Sequence, residues 1–525
     1  MSQNLTFALL PPDVLFSILL YCDVSRVLAL SHTCRTLRDI TQQPYVWISL
    51  ARRLQANGIL EYDIANLIDL STDKLIAIVK RTVVGPATWS ADDSNLSPVI
   101  QRIITIPVDT RPQPGVLHWE NDARLVPDAR HVIYRDNGRL RCYSVAEKKL
   151  TWTFTSQLPT GTRPSVIEFS ISVHPHQGGE WIVVIIGERT FPYTSVDDRK
   201  NFVTCIALEP ASGRQVPLIV VRAPDTEFDN PFSRFAVLGT AGVAVVNTSQ
   251  GTHLLLDWQR KQVILIQHPS RSGRIGLIAD HALIKTSFRG AEVLCIVPLA
   301  EIFDKHGTPA PDPELVHDRP ISAASRCMVD ALVYSVRFSL EVITHAPSPP
   351  SGASDEISVC QSPLRDDTWR VWIYVRSDVD KTLPASSKSE KMTHLLCCYD
   401  ITLHTNDSVQ ACTIRRRLRA PAARLYIRMS QGISFSGHAQ IFDAVGQRCQ
   451  FIVPAPIPFS NRPRFEIPRP DQSSTPQSDL GSSSASAKNN GKVSLEGCGD
   501  NVYISPYSGA LVYSTALNVQ VVYYL

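Results

Sequence analysis

The sequence predicts a small all-α segment followed by a large all-β domain, read as a β-propeller of roughly six to eight blades, seven preferred, with a large β-sandwich as the alternative. Three observations carry this. Apolar residues recur at helical spacing through the first part of the chain, give way to strand alternation from about residue 98, and then fall into strand-turn-strand groups repeating every 40 to 60 residues or so.

The helical part comes first. Pro11 and Pro12 suit the opening of a helix, because proline lacks only an amide hydrogen that is unpaired there. Val14, Leu15, Ile18 and Leu19 continue it as one apolar stripe. Asp23 is placed to cap a second helix bearing Val24, Val27, Leu28 and Leu30, a third carries Cys34 and Leu37, and Pro44 starts a fourth with Trp47, Leu50, Ala51 and Leu54 on one face. Four short helices bury little surface alone, so such a unit gains from a partner. Two further helical stretches are expected near Leu60–Leu70 and Ser71–Arg81, with Ser71 as a cap and Gly85-Pro86 as the stop. Trp89 and the polar run Ser90–Ser97 read as a junction.

The β part opens clearly. His131–Arg135, Asp136-Asn137-Gly138 and Arg139–Val145 form a strand, a tight turn and a strand, with a third strand at Lys149–Phe154. Similar pairs come after it: Trp181–Gly187 with Phe202–Leu208, Val243–Asn247 with His253–Trp258, Ala282–Thr286 with Glu292–Leu299, Val371–Val375 with His394–Ile401, Ile433–Phe435 with Cys449–Val453, and Val502–Ser505 with Leu511–Ser514. No long helical stripe interrupts them. The closing apolar strand Val519–Leu525 is expected to pair with residues 99–106, since an open apolar edge invites aggregation. WD-type signatures are nearly absent, with one Gly437-His438 and no Trp-Asp. Asp471–Lys492, and more briefly Pro347–Ser354 and Ser386–Ser389, have the polar composition of disordered insertions. The expected division is therefore 1–56, 57–97 as a helical extension and linker, and 98–525 as the β domain with a disordered insertion at 471–492.

The run Leu10-Pro11-Pro12-Asp13-Val14-Leu15-Phe16-Ser17-Ile18-Leu19, succeeded by Cys34-Arg35-Thr36-Leu37-Arg38 and Pro44-Tyr45-Val46-Trp47, resembles an F-box. Two positions depart from the family pattern: Asp13 stands where Glu is usual, and Leu37 where Trp is frequent. The helical extension ending in Trp also looks like the segment found after the F-box in many fungal members. The resemblance implies a Skp-type adaptor and a cullin-RING ligase as partners, with Leu10, Pro11, Val14, Ile18, Leu19, Leu28, Leu30, Cys34 and Trp47 divided between the adaptor-facing set and the local core. It further implies an SCF-type substrate receptor whose β domain holds a target protein. A non-ligase F-box scaffold, and less readily a propeller hydrolase or lyase, are the alternatives.

Composition and motifs narrow the chemistry. A formal net charge of +3 on 525 residues gives no argument for nucleic acid or an anionic membrane. No signal-peptide pattern or run of about eighteen apolar residues is present, so a cytoplasmic or nuclear protein is expected. The 12 cysteines are scattered without a C-x-x-C pair and read as reduced, small hydrophobes. Phosphate-loop, dinucleotide, nucleophile-elbow and zinc-protease signatures are all missing, and no cofactor, metal or catalytic residue is assigned. His174-Pro175-His176 reads as an exposed turn, and His394 with Cys397-Cys398 as a buried strand whose cysteines point to opposite faces. Arg415, Arg416, Arg417 and Arg419 form the densest charge cluster, continued by Arg424 and Arg428. A solvated loop is the first reading, a nuclear localisation signal and a pocket for an acidic or phosphorylated target the others.

Overall fold

The computed structural model describes residues 10–60, 64–87, 100–108, 122–136, 138–156, 158, 163–191, 199–228, 230–248, 251–268, 274–288, 291–311, 321, 326–335, 339–344, 356–377, 393–404, 411–423, 426–427, 433–442, 449–452, 502–514 and 518–524. Trp89, Ser90–Ser97, and the low-complexity runs at 347–354, 386–389 and 471–492 lie outside these.

Helices α1 (Pro12–Tyr21), α2 (Val24–Ser31), α3 (Arg35–Thr41) and α4 (Pro44–Ala56) succeed one another closely. Asp23 caps α2 as its position requires, its Oδ1 accepting from the Arg26 amide at 2.8 Å and from the Ser25 hydroxyl at 2.8 Å. Among the described residues of the stretch 60–70 there is a 3₁₀ turn, Ile64–Asp69, in place of the expected helix. α5 spans Thr72–Val84; Ser71 precedes it without making a side-chain cap, and Gly85 ends it with a φ of 79°.

Seven sheets come next among the described residues. The first holds β2 (Ala123–Leu125), β3 (His131–Asp136), β4 (Arg139–Ser144) and β5 (Lys149–Thr153), with Gly138 at a φ of 73° in the β3–β4 turn. The second holds β6 (Arg163–His174), β7 (Gly178–Phe191), β8 (Lys200–Glu209) and β9 (Arg214–Ala223). The third holds β10 (Phe232–Leu238), β11 (Ala241–Asn247), β12 (Gly251–Asp257) and β13 (Gln262–His268), to which β17 (Thr308–Pro309) and β18 (Arg326–Met328) add at the β13 side. In the fourth, β14 (Arg274–Ile278), β15 (His281–Phe288) and β16 (Ala291–Pro298) are completed by β19 (Ser339–Thr344). The fifth is β20 (Glu356–Gln361), β21 (Thr368–Ser377), β22 (Thr393–His404) and β23 (Ala411–Ala423), and the sixth β24 (Tyr426–Ile427), β25 (Ala439–Phe442) and β26 (Cys449–Ile452). In the seventh, β27 (Val502–Ile504), β28 (Leu511–Ser514) and β29 (Asn518–Tyr524) take β1 (Ile100–Pro107) as their outer strand.

That last pairing closes the ring. β1 runs antiparallel to β29, from Ile100 opposite Tyr524 to Pro107 opposite Asn518, so no apolar terminal edge is left open. The first strands of successive sheets pack on one another, β6 on β10, β10 on β14 and β14 on β20, which places them toward the axis of a seven-bladed β-propeller.

Among the described residues, blades one to four are packed on both faces, and this explains why their central strands read as unbroken apolar runs. On β7, Ile182, Val184 and Ile186 face the first blade, meeting Cys142 and Trp152, whereas Val183 and Ile185 face the third, meeting Ala244 and Leu254. The same alternation joins the third blade to the fourth, the fourth to the fifth and the seventh to the first.

Two short helices, α6 (Leu299–His306) and α7 (Val329–Ser335), lie within the β domain between β16 and β19, neither of them a long helical stripe. One expectation needs correction. Ile433–Phe435 is not the partner of Cys449–Val453. β26 pairs with β25, because Ser434–His438 folds into a reverse turn in which the Ser434 amide donates to the His438 carbonyl at 2.9 Å.

The helices seat on one end of this ring. Their core, built on Leu19, Val27, Trp47, Leu50 and Leu75, also includes Cys360 at the end of β20, Phe435, and Tyr507 in the β27–β28 turn. The Ser25 amide donates to the Leu364 carbonyl at 2.9 Å, Arg53 faces Asp366 at 3.6 Å, and Arg81 donates to the Tyr524 carbonyl in the closing strand. Gly58, at a φ of 70°, lets the chain leave α4 where any Cβ would come within 2.7 Å of Val173.

Ring closure predicts a position-dependent penalty. Val521→Asp puts a carboxylate into a fully buried site and should cost several kcal/mol, whereas Ile103→Asp, on the exposed side of the same strand pair, should cost under about 1 kcal/mol; calorimetric melts of the two variants check this.

Candidate partner-binding surface

Helix α1 is apolar on more of its circumference than the protein itself covers. Leu15 and Leu19 point inward and are 1% exposed. Pro11, Val14, Ile18 and Tyr21, spaced three, four and three residues apart, form an adjacent stripe, with Val14 44% and Tyr21 85% exposed and Ile18 half-buried. Among the described residues, five of the eleven exposed large hydrophobic side chains lie between residues 14 and 45: Val14, Leu20, Tyr21, Leu28 and Tyr45. Phe16 braces Tyr45 edge-to-face at 4.4 Å, so this part of the surface is held in shape without a partner.

The nine residues singled out in sequence divide accordingly. Pro11, Val14, Leu28 and Cys34 are exposed, and Leu10, Ile18 and Leu30 are half-buried at the surface. Leu19 and Trp47 do not face outward. Leu19 fills the helical core, and Trp47, 4% exposed, donates its indole N–H to the Thr41 carbonyl at 2.9 Å, which fixes the α3–α4 junction. Sequence reading missed Tyr21 and Tyr45, although Tyr21 could have been found by extending the Val14–Ile18 spacing one more turn.

The arginine cluster is a strand, not a loop. Arg415–Arg419 lies within β23, the outer strand of the fifth blade. Arg417 is committed to the fold: its Nε lies 2.5 Å from Oδ2 of Asp400, whose Oδ1 accepts from Arg370 Nε at 3.0 Å. Arg370 in turn donates to the Phe435 carbonyl at 2.8 Å and stacks over the Phe435 ring at 3.9 Å, beside the helical core. Arg415 and Arg416 are exposed; Arg419 pairs through its backbone with Cys397, and Arg424 and Arg428 lie outside the described residues.

Two sets of titratable groups have structural roles. At the first strands of the first two blades, Arg124 Nη2 sits 3.4 Å from the carboxylates of both Asp122 and Glu168, and its guanidinium lies over the Tyr503 ring. Burial, with Asp122 nearby, raises the Glu168 carboxyl, and the arginine clamps the pair. Among the described residues no group of three or more His, Cys, Asp or Glu is arranged to hold a metal ion. Burial pushes the Cys142, Cys360 and Cys398 thiols up to about 12, which makes them packing groups rather than nucleophiles.

Residues 7–53 match the F-box-like family model. The chain contains an F-box-like domain. The domain matched ends within α4, so the exposed α1 stripe and the buried Trp47 both belong to it. No curated protein matches the chain. The chain is similar at 9% identity to the WD40 domain of SCAP from fission yeast, with 81% of this chain and 92% of that one covered and a TM-score of 0.37. It is similar at 9% identity to the C-terminal WD40 domain of Sif2, with 78% and 97% covered and a TM-score of 0.30. The propeller itself is established by the strand pairing described above.

The two kinds of F-box-like residue separate by stability. Leu19→Ala should cost about 2–5 kcal/mol and Trp47→Ala about 3–5 kcal/mol, against less than about 1 kcal/mol for Val14→Ala, as read from denaturant midpoints.

Proposed function

We propose that this protein is the substrate-receptor subunit of an SCF-type (Skp–cullin–F-box) ubiquitin ligase. The F-box-like helices dock a Skp-type adaptor, and the propeller holds the target protein. The observation that carries this reading is the α1 stripe: Pro11, Val14, Ile18 and Tyr21 are an apolar surface kept outside a core that is already complete without them. Covering such side chains contributes about 1.5–3 kcal/mol each when burial is full, enough for a few of them to anchor an interface. F-box domains generally bind an adaptor of this kind.

A receptor of this type makes and breaks no bonds. Its contribution is proximity, which raises the effective concentration of a target lysine beside the conjugating enzyme. The contacts of Arg53 with Asp366 and Arg81 with Tyr524 support that role, because they hold the helices against the ring and so fix the distance from adaptor to target. Arg415 and Arg416 are the members of the arginine cluster best placed to meet an acidic target, since Arg417 is engaged by Asp400. The protein would act where the ligase acts, in the cytoplasm or nucleus.

The double variant Val14→Asp, Ile18→Asp should reduce co-purification with a Skp-type adaptor by at least about a hundredfold, the loss of roughly 3 kcal/mol, while the melting profile of the β domain stays unchanged. Retained capture by the folded variant would defeat the assignment.

A further inference from the structure

His253 on β12 and His268 on β13 stand together at one end of the third blade, ring centroids 4.6 Å apart and planes inclined at 61°. Both are wholly buried, and their ring nitrogens have no hydrogen-bond partner among the described residues. Their direction is set by strand alternation. Leu255 on β12 and Ile264 and Ile266 on β13 enter the seam with the fourth blade, and the two histidines occupy the same alternate positions. Cys327 of β18 with Val329 and Leu332 of α7 pack into that seam as well.

Among the described residues, the charged groups on the surrounding elements offer the pair no counter-ion. Arg274 opens β14, and Lys285 on β15 lies 2.8 Å from Glu292 on β16, so that carboxylate is already matched. Asp330 is half-buried in the first turn of α7. A proton placed on either imidazole would sit in an interface closed to solvent, beside a second imidazole, with Arg274 and Lys285 repelling it.

We propose that this imidazole pair makes the seam between the third and fourth blades an acid-sensitive joint, closed while both rings are neutral and opened when one must carry a proton. The direction of titration agrees. Burial, reinforced by Arg274 and Lys285, lowers His268 to about 3, and burial with His268 and Arg274 lowers His253 well below its ordinary value. In the open state the rings titrate near the ordinary value of about 6.5. Above that pH both states are neutral and the seam has its full stability. Below it the open state binds protons that the closed state refuses, so opening gains about tenfold per pH unit for each histidine, until the pH approaches the folded values.

Hydrogen exchange on the full chain between about pH 7 and pH 5, expressed as protection factors to remove the intrinsic pH effect, tests this directly. Protection in β12, β13 and α7 should fall by roughly ten- to a hundredfold per pH unit below about pH 6.5, while β7 and β8 of the second blade lose far less. In His268→Gln the dependence should shrink to about tenfold per unit or less. Parallel behaviour of the two blades in the unaltered protein would overturn the proposal, whether or not the variant folds; so would a variant that keeps the full dependence.

Discussion

The antiparallel pairing of β1 with β29 is the constraint on which the rest of this structure depends. Blades one to four are apolar on both faces, which is stable only if each has a neighbour on both sides, and a ring is the arrangement that supplies two neighbours to all. An open array would leave two apolar sheet faces in water. Closure therefore makes the seven sheets one body, and it creates a fixed end on which the helices can sit. Arg81, reaching from α5 to the carbonyl of Tyr524, ties the helical part to the closing strand itself.

The features that could be read in the sequence are those that depend on near neighbours along the chain. Proline at a helix start, aspartate at Asp23 and the alternation in the β3–β4 hairpin express local geometry, and the structure has each of them. Even the long-range pairing of β1 with β29 was legible, because an apolar last strand needs a partner and a closed propeller brings the start of the β domain beside it. Other features were hidden for physical reasons. β19 joins its sheet across an insertion containing α6 and α7, and no local pattern says that a strand will return to a sheet left some forty residues earlier. The two roles of α1 were equally hard to separate. Leu19 and Ile18 are adjacent and similar, and which of them faces the core depends on where α4 and the ring lie against the helix.

Buried polar groups were the least legible of all. Lys285, Glu292, His253 and His268 lie within apolar strands, where composition suggests nothing more than an ordinary alternation. Their significance comes from position: they sit near the blade ends opposite the helices, where β14 begins and β13 finishes, and they are enclosed by neighbouring blades. Arg417 teaches the converse. It belongs to the most conspicuous charge cluster in the sequence, yet its carboxylate partner Asp400 is on the adjacent strand and turns it into part of the scaffold.

These features support a division of labour in which the closed ring is the holder and the α1 stripe is an apolar surface presented away from it. Hydrogen-exchange footprinting of the full chain with and without a purified Skp-type adaptor tests that account most directly. Slowed exchange confined to residues 10–45, with the blades unaffected, is the predicted result; unchanged exchange across those residues at saturating adaptor would contradict it.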